Sequence, residues 1–266
     1  MREDRKDEEG TVAKHGWEGV VLRLMRGKDF TFTVTGAEDV TDHYRRLRFT
    51  DGGMLAATGV HPTMWVRMWF TDAGKPHQRA YTLVDPDTEA GTFTVEFALH
   101  DGPAAGWARK AVPGDTVEAT VQGTGFTAPD PLPQRMVVIG DTASLPAVNS
   151  LLDALPRTPA TLWLETQHAS DDDLPLRHDP ARHEVHRVPR EDAGGRLVTE
   201  VRAALPALLE EHGGPAGAYV WIACDTATTR ALGAYVRREL GVPKQRVDAL
   251  GYWQPPRDPG PASAAA

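Results

Sequence analysis

Ala128-Pro129-Asp130-Pro131-Leu132-Pro133-Gln134-Arg135-Met136-Val137-Val138-Ile139 divides the chain into two halves with different periods. Three prolines in so short a span make a semi-rigid segment, which reads as a linker between domains over residues 128–134. The four apolar residues that follow have no polar interruption. Such a run suits a strand covered on both faces, as in a parallel sheet. Before the linker apolar residues alternate with polar ones. After it, buried strands alternate with helical spacing.

Downstream, Ala147, Val148, Leu151, Leu152 and Leu155 recur at helical spacing. Thr161-Leu162-Trp163-Leu164 predicts a second buried strand and Val185 to Val188 a third. Leu197, Val201, Leu205, Leu208 and Leu209 predict a helix kinked at Pro206, because proline cannot donate the helical hydrogen bond. Ala218 to Ala223 predicts another strand. Thr226 to Leu240 predicts a helix closed by Gly241, and Val247 to Tyr252 a last strand. Strand and helix in alternation predict a doubly wound α/β domain over residues 135–253.

Upstream, Phe30, Phe32 and Val34 alternate with threonines, the pattern of a half-buried strand. Tyr44 to Thr50, Met64 to Phe70, Gln78 to Val84, Thr92 to His100 and Asp115 to Val121 follow the same rule. One short helix is predicted around Ala104 to Lys110. Six closely spaced strands predict an antiparallel barrel over residues 17–127. The fold class is therefore mixed β and α/β. Residues 1–16 carry charges of both signs without an apolar core, which predicts a poorly ordered arm and not a signal peptide. The Pro- and Ala-rich tail, residues 254–266, is expected to be disordered.

Composition removes several function classes. The net charge of −8 argues against nucleic acid as the main partner, since phosphate backbones need a basic face. Cys224 is the only cysteine, so an intrachain disulfide and a cysteine-built metal or iron–sulfur site are excluded. No apolar run is long enough for a membrane span. A cytoplasmic protein fits these features best. The histidines form no metal-ligand spacing, and no Gly-x-Ser-x-Gly elbow or triad is visible, so no side-chain nucleophile is expected.

Three stretches carry chemistry. In Arg79-Ala80-Tyr81-Thr82, Arg79 can hold a phosphate, Tyr81 can lie against a flat ring, and Thr82 can bond a ring nitrogen; a plain barrel strand with a surface Arg and a core Tyr reads equally from the pattern. Leu99-His100-Asp101-Gly102-Pro103-Ala104-Ala105-Gly106-Trp107 ends a strand and opens a helix. The free N–H groups of such a turn attract phosphate, and small residues let a ligand approach the backbone. Gly140-Asp141-Thr142-Ala143-Ser144-Leu145-Pro146-Ala147 closes the first buried strand, where a doubly wound domain holds a dinucleotide. It lacks the G-x-G-x-x-G spacing, and it reads also as a capped helix start. Glu165, ending the second buried strand, can bond a ribose 2′-hydroxyl and repel a 2′-phosphate, as can the acidic loop Asp171-Asp172-Asp173. Cys224-Asp225 ends the last long strand; Cys224 reads as a thiol facing a nicotinamide or as an inert buried cysteine.

Taken together, these motifs resemble the siderophore-interacting proteins, flavin-dependent ferric-siderophore reductases related to the ferredoxin reductases. Arg79-Ala80-Tyr81-Thr82 is similar to the family's R-x-Y-T, and His100 to Trp107 to its H…G-P-A-[SA]-x-W segment. Gly140 to Ala147 is similar to G-D-E-T-A-L-P-A, and Gly251-Tyr252-Trp253 to its closing G-Y-W. The resemblance spans residues 28 to 253. It implies FAD in the barrel, with Arg79 on its phosphates, Tyr81 on the isoalloxazine, Thr82 near its reactive nitrogens, the turn of Gly102, Pro103, Ala104 and Ala105 on the pyrophosphate, and Leu99, His100 and Trp107 as further FAD contacts. It implies NADH or NADPH along Asp141, Thr142, Ala143, Leu145, Pro146, Glu165, Cys224, Asp225 and Trp253. The acidic groups favour NADH. A ferric siderophore would be the acceptor, with Lys75, Arg109, Lys110 and Arg246 as candidate contacts. A flavin reductase with another acceptor, or a non-catalytic siderophore binder, are the alternatives. Three positions depart from the family pattern: Val84 stands where many members carry a basic residue, Thr142 replaces an acidic one, and Gln254 replaces an Arg.

Overall fold

Alternating and continuous apolar runs build two different sheets in a computed structural model that describes residues 28–121 and 124–255. The expected N-terminal arm, the start of the barrel from residue 17, and the tail from residue 256 lie outside the described residues. The chain forms two compact units that are interleaved in sequence. The first draws on residues up to 128 together with 145–156 and 168–178; the second on 129–144, 157–167 and residues from 179 onward.

In the first unit, β1 (Lys28–Thr41), β2 (Tyr44–Thr50), β3 (Trp65–Asp72), β4 (Lys75–Thr82), β5 (Val84–Asp87), β6 (Thr92–Ala98) and β7 (Thr116–Val121) make one curled antiparallel sheet in the order β4-β3-β7-β1-β2-β6-β5. Two short helices, α1 (Met54–Thr58) and α2 (Pro103–Lys110), belong to it. The sequence predicts six strands; there are seven among the described residues. The stretch Gln78 to Val84 reads as one strand but is divided at Leu83. Up to Thr82 it pairs with β3. The Leu83 N–H then donates to the Met64 carbonyl at 2.8 Å, and Val84 pairs with Thr94 on β6. One continuous segment thus supplies both outer strands. The sheet curls until these ends meet, and across the seam the Tyr81 and Phe97 ring centroids are 4.5 Å apart.

The inward residues of the alternating strands fill the curl. Phe32, Phe49, Phe93 and Phe97 are each at most 2% exposed. Burying each such side chain contributes about 1.5–3 kcal/mol. A second apolar cluster of this unit joins Tyr44 to Leu145 and Leu174. Leu145 opens α3 (Leu145–Ala154), and Arg177 ties the following loop down by ion pairs to Asp85 at 2.6 Å and Asp153 at 2.7 Å.

The second unit holds a parallel sheet: β8 (Arg135–Asp141), β9 (Ala160–Thr166), β10 (His183–Pro189), β11 (Ala218–Ala223) and β12 (Val247–Ala249), in the order β10-β9-β8-β11-β12. β8 and β11 are neighbours, yet the chain leaves β8 in the opposite direction to reach β9. That reversal opens a crevice at the carboxyl ends of β8 and β11. Helices α4 (Gly195–Glu211), with Pro206 inside it, and α5 (Thr226–Arg238) belong to this unit. The last strand is shorter than the predicted Val247 to Tyr252. Beyond Ala249 the chain still tracks β11, through Leu250 N–H to Ile222, Tyr252 N–H to Cys224, and a bridge between Trp253 and Asp225.

Candidate functional site

In the first unit Arg79 and Tyr81, two residues apart on β4, take the same face of the strand; Arg79 is exposed, and Tyr81 packs partly buried against the core. The Arg79 guanidinium donates to the Gln78 carbonyl at 2.7 Å and meets no carboxylate among the described residues. Tyr81 lies on Phe97 and edge-on to Phe70, whose centroid is 6.1 Å away. Burial pushes its phenol well above the ordinary range, against the pull of Arg79's charge. Thr82, on the opposite face, is buried. The second stretch leaves β6 through Leu99, whose N–H bonds the His43 carbonyl at 2.8 Å. His100 is exposed, with Nδ1 2.7 Å from the Asp101 carbonyl oxygen.

Gly102 then takes φ 154°, and a Cβ there would stand 3.2 Å from the His100 ring. Pro103 opens α2 in a position where its missing N–H costs nothing. No side chain caps this helix, so the N–H groups of its first turn, at the buried Ala104 and Ala105, meet no side-chain acceptor. About one turn after Pro103, Trp107 packs its ring 5.4 Å from Phe70 and 6.4 Å from Phe97. Tyr81 and Trp107 therefore share the same two phenylalanines. The two stretches, read separately in the sequence, converge there. Arg109 donates to the His100 carbonyl at 3.2 Å; Lys75, Arg109 and Lys110 are exposed. Arg246 is not: it is 8% exposed, and its Nη1 has no partner.

In the second unit four charged groups meet at the carboxyl ends of the strands. Asp141 on β8 lies beside Glu165 on β9. Asp225 follows β11, and Arg190 follows β10. Arg190 Nη1 pairs with Glu165 Oε2 and lies 3.1 Å from Asp225 Oδ2. Its guanidinium sits 4.9 Å over the Trp253 ring, whose Nε1–H donates to Asp141 Oδ2 at 2.7 Å. Asp141 also accepts from the Ser144 N–H at 3.0 Å. Burial raises the Asp141 carboxyl above the usual range despite these donors. Glu165 is raised for the same reason, against the pull of Arg190. Asp225 goes the other way. Burial opposes its ionisation, but the Thr228 donors and Arg190 hold its carboxyl below the usual range.

Glu165 is fully buried. One oxygen serves Arg190, and the other, Oε1, has no partner. Cys224 lies inside the apolar core of this unit, its thiol pushed up by burial. Thr142 and Ala143 are partly exposed in the turn after β8; Pro146 is buried. Arg190 was not singled out in the sequence. The available signal was a lone basic residue just past the third buried strand, a position equivalent to Asp141 and Asp225. No group of three or more His, Cys, Asp or Glu residues able to hold a metal is found among the described residues.

Residues 25–123 match the family described as the siderophore-interacting FAD-binding domain, and residues 133–255 match the one described as siderophore-interacting protein. The chain belongs to the siderophore-interacting protein family. Its relatives include the mycobactin import ATP-binding/permease protein IrtA of Mycolicibacterium thermoresistibile, 36% identical over 248 residues. That match covers 90% of this chain but 26% of IrtA, so the chain spans about a quarter of that protein. An uncharacterized protein of Mycobacterium tuberculosis is 31% identical over 260 residues, covering 92% of this chain and 89% of its own.

Among solved structures, the siderophore-interacting protein SipS of Aeromonas hydrophila superposes with TM-score 0.72 at 23% identity, covering 87% of this chain and 94% of SipS. A ferredoxin NADP+ reductase from Neisseria gonorrhoeae, with bound FAD and NADP, gives TM-score 0.66 at 15% identity, covering 85% and 99%. At these identities the likeness shows a ferredoxin reductase-like fold. No described helix is long and apolar enough to cross a membrane.

The residues present fit FAD. A family member with an uncapped helix start, a Gly102 that a side chain would crowd, and an Arg79 without a carboxylate partner has free donors for two phosphates. In the second unit the buried Glu165, beside Asp141 at the carboxyl ends of the strands, keeps one orphaned acceptor, Oε1.

Proposed function

We propose that this chain is an FAD-dependent reductase that takes two electrons from NADH and passes them to ferric siderophore, releasing two Fe(II) per NADH oxidised. The observation that carries this reading is the convergence of Tyr81 and Trp107 on Phe70 and Phe97, beside an uncapped helix start and an unpaired Arg79. Bound FAD supplies the redox chemistry, accepting a hydride and donating single electrons.

The chain's residues bind and orient. Arg79 and the Ala104 and Ala105 N–H groups hold phosphates, Tyr81 and Trp107 give the ring system apolar walls, and Thr82 sets its register. Asp141, Thr142 and Ala143, with Asp225 and Trp253, line the donor's path in the second unit. Lys75, Arg109 and Lys110 are the cations that an anionic siderophore would meet. The preference for NADH is supported by the pairing of Arg190 with Glu165 and Asp225, which leaves it no free charge for a 2′-phosphate.

The test is the visible spectrum of the purified protein under anaerobic conditions. A yellow protein that NADH bleaches, and whose colour a ferric siderophore restores with Fe(II) caught by a ferrous trap, is the expected result. Protein that cannot be loaded with FAD would reject the reading. Faster turnover with NADPH than with NADH would reject the donor assignment alone.

A further inference from the structure

Between residues 225 and 255 the chain carries five basic residues, Arg230, Arg237, Arg238, Lys244 and Arg246, against three acidic ones, Asp225, Glu239 and Asp248. This balance opposes the net charge of −8 of the whole chain. All three acidic residues are engaged elsewhere. Asp225 caps α5 through Ala227 and Thr228 and holds Arg190. Glu239 pairs with Arg202 at 2.7 Å, and Asp248 accepts from the Tyr219 phenol. Arg230 and Arg238 are exposed and meet no carboxylate among the described residues. Arg237 reaches only the Val247 carbonyl, at 3.3 Å.

These three guanidiniums line one cavity of about 360 Å³ beside α5. Two glycines on its wall let α5 and the chain around β12 pack closely. A Cβ on Gly233 would come within 3.3 Å of both the Ala249 Cβ and Arg237 Nη1. One on Gly251 would come within 2.9 Å of Thr226 Oγ1. The volume is that of a small-ligand site. Three guanidiniums on one helix, with no acidic neighbour free, attract an anion. Guanidinium forks match phosphate oxygens in pairs.

We propose that this cavity binds a small polyanion carrying two or more linked phosphates. Arg230 and Arg237 are seven residues apart, about 10 Å along the helix axis at 1.5 Å per residue. A linear oligophosphate has more oxygens, spread over a greater length, than a single phosphate, and so can engage these guanidiniums together. The phosphates can belong to a free oligophosphate or to a nucleoside polyphosphate.

The test is isothermal titration of the full chain with sodium tripolyphosphate, ATP and inorganic phosphate at fixed ionic strength. Tripolyphosphate is expected to bind saturably at one site, and inorganic phosphate at least about tenfold more weakly. ATP equal to tripolyphosphate points to the free oligophosphate; tighter ATP points to the nucleotide. The Arg230→Ala/Arg238→Ala variant is expected to lose about tenfold or more in affinity with an unchanged thermal midpoint. The exposed pair Arg48→Ala/Arg157→Ala removes the same charge outside the cavity and is expected to bind like the parent. No saturable binding, an equal loss in both double variants, or displacement of tripolyphosphate by NADH would each overturn the proposal.

Discussion

Asp141 and Asp225 lie in one cluster and titrate in opposite directions. The folded chain raises the Asp141 carboxyl by burial, so it holds that proton more tightly than the unfolded chain does. As pH climbs from the ordinary carboxylate range, the unfolded chain releases its proton first and stability falls. Asparagine cannot ionise. We therefore expect the thermal midpoint of Asp141→Asn, relative to the parent, to rise between about pH 4 and pH 7. Asp225 is held below the usual range, so its contribution is present at neutral pH and lost as pH falls through its folded value. The relative midpoint of Asp225→Asn is expected to drop as pH rises from about 2 to about 4, and to stay level above that. A relative midpoint of Asp225→Asn that rises with pH below about 4, or one of Asp141→Asn that does not rise above it, measured by scanning calorimetry, would contradict the assignment. Arg190 is the counter-charge to both Glu165 and Asp225. Truncating it strands buried carboxylates, and Arg190→Ala is expected to cost about 3–5 kcal/mol in urea denaturation.

At the scale of the element, the seam between β4 and β6 deserves a direct perturbation. Phe97 is 1% exposed and supports both Tyr81 and Trp107. Phe97→Ala is expected to destabilise the chain by about 3–5 kcal/mol and to lower the fraction of FAD retained on a desalting column. Unchanged retention in a destabilised variant would separate the seam from the cofactor. The strands themselves were legible, because a sheet with one buried face writes its period into the sequence. The break at Leu83 was not. Alternation reports which face a residue takes, and Gln78 to Val84 keeps its rhythm while its partner strand changes from β3 to β6. The flavin stretches were legible as motifs, but their shared contacts with Phe70 and Phe97 arise only when the sheet curls. Arg190 escaped notice because nothing in its neighbourhood of sequence announces that Glu165 and Asp225 converge on it.

For the molecule as a whole, the chain passes from the first unit to the second at residue 128 and then twice returns to the first. The first unit takes in residues 145–156 and 168–178, which cover Tyr44 with Leu145 and Leu174 and fasten Asp85 through Arg177. A fragment ending at residue 128 lacks these partners. It is expected to expose Tyr44, bind a hydrophobic dye, and melt at a lower temperature than the first transition of the full chain; a fragment as stable as that transition would refute this. The same interleaving bears on synthesis. As the chain leaves the ribosome, the first unit lacks the partners of Tyr44 and Asp85 until residue 178 has emerged, by which point β8 and β9 are already outside the exit tunnel. The order of translation thus makes the two halves mature together, and a nascent chain arrested before residue 178 is the species on which a chaperone would act.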